Sequence, residues 1–167
     1  YIKPWETISS ALIRLWRTNK ELFNTISKEI EEFEKIALKN LHKLVNSSTI
    51  KLLSHIKETY KIKICIATKQ SKNIALQIVK NIGMDDLVDY VVGRDSMEPL
   101  KIEMFKTCLK LCSSDNKKGA VVFDDNFIAV IEALRYGLYP IRVHKNSYER
   151  FKALRIGIPS FTSVNIA

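Results

Sequence analysis

Apolar residues in the first part of the chain recur at helical spacing. Ile8, Ala11, Leu12, Leu15 and Trp16 share one face, and Leu22, Ile26, Ile30, Phe33, Ile36, Ala37, Leu41 and Leu44 continue the stripe. "KEIEEFEK" supplies a charged outer face, and Thr18 and Asn19 break or recap the run, so residues 5–45 predict two antiparallel helices. "NSS" at 46–48 is a polar break that offers an N-cap to a third helix, on which Leu52, Leu53, Ile56 and Tyr60 share a face. Then the period changes. "KIKICIATK" is a short, β-branched, nearly continuous apolar run, the pattern of a parallel strand covered on both faces.

From there strands and helices alternate. "SKNIALQIVKNIG" predicts a helix with Ser71 as N-cap and Gly83 just past its end. "DYVVG" reads as a second strand, and "PLKIEMFKTCLKLC" as a helix with Pro99 in its first turn and Met104, Phe105, Cys108, Leu109 and Cys112 on one face. "GAVVF", "NFIAVIEALRYG" and "YPIRV" add a third strand, its helix and a fourth strand. Such alternation implies right-handed crossovers and a parallel, doubly wound, Rossmann-like α/β sheet. The expected division is a helical segment over 1–48 and an α/β core over 49–167.

Composition changes this picture little. The 167 residues are 46% hydrophobic, which suits one domain with a small appendage. No apolar run approaches the roughly 18 residues of a membrane span, and the first residues lack the apolar centre of a secretory signal. Cys65, Cys108 and Cys112 are expected as packed thiols in a reducing, cytoplasmic setting. The net charge of +9 favours anionic ligands, whether phosphate esters or nucleic acid. His42, His55 and His144 form no sequence cluster.

In a parallel sheet, ligands bind beyond the carboxyl ends of the strands. Thr68 and Lys69 follow the first strand there, Gly93 and Arg94 the second, and Asp124 and Asp125 the third, with Lys101 in the first turn of the intervening helix. Adjacent carboxylates suit a hard cation such as Mg2+, which takes oxygen ligands and relieves their repulsion. In isolation, the pair reads more readily as one Asp capping the next helix and one solvated Asp. Thr68 could bond a phosphate oxygen, helped by the amides of Lys69, Gln70 and Ser71 at a helix N-terminus.

The order Thr, Lys, Asp-Asp resembles the haloacid dehalogenase (HAD) superfamily, in particular its phosphoglycolate-phosphatase-like members. "KICIATKQSK" resembles the second motif, and "VVFDDNFIAVIEALRYGLYPIRV" the fourth motif and its flank. The resemblance spans about 49–143, and the preceding helices look like the family's small cap. It implies a Mg2+-dependent phosphatase of a small phosphorylated metabolite: Thr68 and Lys69 bind the phosphoryl group, Lys101 neutralises charge, and Asp124 with Asp125 holds the metal. In the third motif Glu98 stands where the family often has Lys, so Lys101, or failing it Arg94, would substitute.

The first motif is missing. The family's nucleophile is the first Asp of an Asp-x-Asp that ends a central strand, and no Asp-x-Asp occurs in these residues. That strand belongs between those at 62–67 and 119–123, so a sheet without it should not stay intact. Either it precedes Tyr1 in a longer product, or the two strands pair directly in a degenerate, non-catalytic binding module, in which case nucleic acid is the partner that the charge suggests.

Overall fold

The computed structural model describes residues 7–38, 47–95, 99–112 and 117–162, and Glu98, Leu41 and Leu44 lie outside them. Helices α1 (Ile8–Thr18) and α2 (Lys20–Leu38) form a hairpin that turns on Asn19. The Asn19 N–H closes α1 onto the Leu15 carbonyl at 2.7 Å, and its Oδ1 accepts the Leu22 N–H at 3.0 Å, so one residue ends one helix and starts the next. Leu12, Leu15 and Phe23 are buried between the helices, and Trp16 meets Phe23 edge-on with centroids 5.0 Å apart. Phe33 and Ile36, expected on the same stripe, are exposed, because the far half of α2 turns its Glu31 and Glu34 face toward Asn73 of the helix at 72–81 and toward Arg94.

The remaining elements are α3 (Ser47–Tyr60), β1 (Cys65–Ala67), α4 (Lys72–Asn81), β2 (Tyr90–Val92), α5 (Lys101–Leu111), β3 (Val121–Asp124), α6 (Phe127–Tyr136), β4 (Tyr139–Val143), α7 (Ser147–Leu154) and β5 (Ser160–Phe161). Ser71 caps α4 through the Ile74 N–H, and Gly83 (φ +69°) follows its end. Gly137, with φ of +91°, ends α6 in the left-handed region that glycine adopts without strain. Pro99 sits ahead of α5 rather than in its first turn, since Leu100 is the N-cap. β1 is three residues long, and α7 and β5 extend the alternation beyond the fourth expected strand.

All pairings are parallel, but they form two sheets. β1 pairs with β2, Cys65 opposite Tyr90, while β3, β4 and β5 pair in that order, Val121 opposite Tyr139 and Arg142 opposite Ser160. No hydrogen bond joins β1 to β3 among the described residues, so a seam runs between the two sheets. The direct pairing expected of a degenerate domain is therefore not found. One helix spans the seam from beneath: Ala67 of β1 and Val122 of β3 both pack against a core built on Phe105 of α5 with Ala129, Ala133 and Leu138.

β3 also departs from the two-sided burial of a central parallel strand. Val122 and Asp124 face the layer of α5, α6 and α7, whereas Val121, Phe123, Tyr139 and Phe161 on the opposite face are about half exposed (51%, 49%, 53% and 54%). The cysteines differ from expectation as well. Cys65 of β1 and Cys108 of α5 form a disulfide, because helix and strand bring their Cα atoms to 5.8 Å, within the usual range. Cys112 alone is a free thiol, pushed up from its ordinary pKa by burial and by the charge of Asp89.

Candidate active site

Thr68, Lys101 and the Asp124–Asp125 pair converge on the carboxyl-terminal mouth of the seam. Thr68 continues the β1 ladder, its N–H reaching the Val92 carbonyl at 2.9 Å, and its Oγ1 accepts the Gln70 N–H at 3.2 Å. The loop it opens runs into the Ser71 cap of α4. The Gln70 amide is thus spent on Thr68, not held free for a ligand as the sequence reading expects.

Lys101, the first residue of α5, reaches up into the seam. Its Nζ donates to the Ala67 carbonyl at 2.8 Å and stands 2.9 Å from Asp124 Oδ2. One ammonium therefore touches the last residue of β1 and the last residue of β3, fixing the width of the mouth. The Asp124 side chain is only 5% exposed and that of Lys101 18%. A lysine three positions past Glu98 can do this because the first turn of α5 lies under both strand ends.

Asp124 Oδ1 accepts the Asn126 N–H at 2.8 Å, and Asn126 in turn caps α6 by accepting the Ile128 and Ala129 N–H groups at 2.9 and 3.2 Å. The helix cap is therefore the asparagine and neither aspartate, which removes capping as the reason for the acidic pair. Asp125 is exposed beside it.

Arg94 is not a free cation for this site. It is 1% exposed, and its Nη1 donates to Glu34 Oε1 at 2.8 Å and to the Lys69 carbonyl at 3.1 Å, while Nη2 donates to the Ser27 carbonyl at 3.0 Å. The guanidinium faces the α1–α2 hairpin because two of its acceptors lie on α2. Lys69 lies on the same side: with Arg94 and Pro99 it faces Ile8, Leu12 and Ile30 across a cavity of about 120 Å³. Sequence reading had no signal for Glu34, which is an ordinary charge on the outer face of an amphipathic helix.

Residues 5–143 match the family described as haloacid dehalogenase-like hydrolase. The chain belongs to that family. A solved HAD-superfamily hydrolase from Ehrlichia chaffeensis is similar in fold, with a TM-score of 0.60 at 18% identity, over 72% of this chain and 54% of that one. The chain thus spans about half the length of that relative. No curated protein matches it. Ala67, just before Thr68, and Asp124 border the seam, bridged by Lys101. Among the described residues, no three His, Cys, Asp or Glu side chains gather into a metal-binding group, and no helix is long and apolar enough to cross a membrane.

Proposed function

We propose that these residues form the cap and most of the core of a HAD-like phosphatase that hydrolyses a small phosphorylated metabolite. The nucleophilic Asp comes from a strand outside the 167 residues that fills the seam between β1 and β3. The observation that carries the reading is the Lys101 ammonium, held at 2.8 Å from Ala67 O and 2.9 Å from Asp124 Oδ2 between the ends of the two unpaired strands. A cation fixed there would offset the charge of a phosphoryl group, and Thr68 Oγ1, on the residue after Ala67, would orient one phosphoryl oxygen.

The acidic pair fits Mg2+ in donor type. Asp124 and Asp125 offer hard carboxylate oxygens, and Mg2+ is commonly held by one or two carboxylates together with waters and substrate phosphate. Asp125 is the exposed, accessible donor, while Asp124 already holds Lys101 and Asn126 and would contribute through a remaining lone pair. Mg2+ in this position would stabilise charge on the phosphoryl oxygens. The hairpin α1–α2 would cover the substrate and exclude water.

The test is a chain extended at its N-terminus by a strand ending in Asp-x-Asp. It should hydrolyse p-nitrophenyl phosphate in Mg2+, lose that activity to chelator, and lose about 100-fold or more in kcat on Asp125→Asn. Activity indifferent to both treatments would sink the metal assignment, and no turnover from a folded, extended chain would sink the phosphatase reading.

A further inference from the structure

Arg94 is the bulkiest of the fully buried side chains, and it joins segments far apart in sequence. Its acceptors are Glu34 and the Ser27 carbonyl on α2 and the Lys69 carbonyl in the loop after Thr68; its own N–H donates to the Gln70 carbonyl of that loop at 2.9 Å. A planar guanidinium can hold three acceptors in fixed relative directions, which an ammonium on a flexible stem cannot. The polar contact that accompanies it is weaker: Asn73 Nδ2 to Glu31 Oε1 at 3.0 Å, an exposed pair. Besides Arg94 and Glu34, the charged side chain lining the adjoining cavity is Lys69.

We propose that Arg94 is a positioning residue that registers the α1–α2 hairpin against the Thr68–Ser71 loop, so that one guanidinium sets where α2 sits relative to that loop. The coupling rests on the phosphatase reading only for its use in catalysis; the mechanical link between α2 and the loop stands without it. Arg94 touches no reacting group and acts through the two segments it holds.

Hydrogen exchange on the whole 167-residue chain tests this. Arg94→Met combined with Glu34→Gln leaves no stranded charge, and should raise exchange about tenfold in both α2 and residues 69–75 while leaving α6 unchanged. Glu34→Gln alone strands the buried Arg94 charge, so it should raise exchange in α2 and 69–75 at least as much as the double variant. Arg94→Lys keeps the charge without the fork and should behave like the double variant. Exchange that stays at the parent level in α2 and 69–75, or that rises in α2 alone, overturns the coupling. If the double variant loosens α6 too, the Arg94→Lys variant decides: unchanged exchange in 69–75 there overturns the proposal, and a selective rise supports it. Failure of the p-nitrophenyl phosphate test bears on the phosphatase reading alone.

Discussion

Replacing Lys101 by Met keeps most of the side-chain volume and removes the ammonium, which isolates what the charge contributes at the seam. Both partners are well inside the protein, at 18% and 5% side-chain exposure, and Nζ approaches Asp124 Oδ2 to 2.9 Å. Breaking a buried ion pair from one side costs about 3–5 kcal/mol, because the remaining charge is stranded. Asp124 keeps the Asn126 N–H at 2.8 Å, which lowers that figure. The Ala67 carbonyl loses its 2.8 Å donor, which adds about 1 kcal/mol. A net loss of about 3 kcal/mol follows, equivalent to roughly 6–12 °C in Tm for a chain of this size. An exposed pair would give about 0–1 kcal/mol instead.

Urea titrations followed by far-UV circular dichroism measure the loss, and a cycle with Asp124→Asn measures the coupling, expected at about 1–3 kcal/mol. A single-variant cost below about 0.5 kcal/mol, or additivity within about 0.5 kcal/mol, would refute the reasoning and return Lys101 to the ordinary surface.

Two further outcomes follow from local geometry. A Cβ at Gly93 would lie 2.3 Å from the Lys72 backbone nitrogen and 2.8 Å from its Cα, so Gly93→Ala must push α4 away from β2 and should cost about 1–3 kcal/mol or more in the same titration. The Glu149 carboxyl is held down to about 2 by the Lys152 ammonium and the Arg142 guanidinium. A depressed carboxylate stabilises the fold above its unfolded pKa, and that stability is lost as pH falls through the folded value. Glu149→Gln should therefore cost stability at neutral pH and progressively less as pH falls from about 4.5 to 2, which flattens the acid limb; an unaltered acid limb would exclude the pairing.

The alternation of helix and strand was legible because its periods differ sharply: a 3.6-residue stripe in α4 and α6 against short β-branched runs at β1 to β4. The order of Thr68, Lys101 and Asp124 was legible too, since strand ends in a parallel sheet face one way. The missing Asp-x-Asp announced the seam before any coordinates did. α7 went unread although Tyr148, Phe151 and Leu154 recur at helical spacing; in the structure those three stay exposed and Ala153 is its buried residue. The Arg94–Glu34 pair was invisible for another reason: its members are 60 residues apart and no local pattern ties a strand-end arginine to a helix-surface glutamate. The role of Arg94 as a spare cation was a fair reading of sequence and is overturned by packing.

The seam has a consequence for how these residues behave in solution. Edge strands of soluble proteins usually carry lysines, prolines or bulges that discourage a neighbour from adding on. β1 and β3 carry none of these: "CIA" and "VVFD" are built for the middle of a sheet, and Phe123 and Val121 are half exposed beside the opening. Any extended apolar segment, including one from a second copy, can compete for that vacancy. A preparation of these residues by themselves should associate more as its concentration rises. Colloidal behaviour would then register occupancy of the slot before any assay of turnover could.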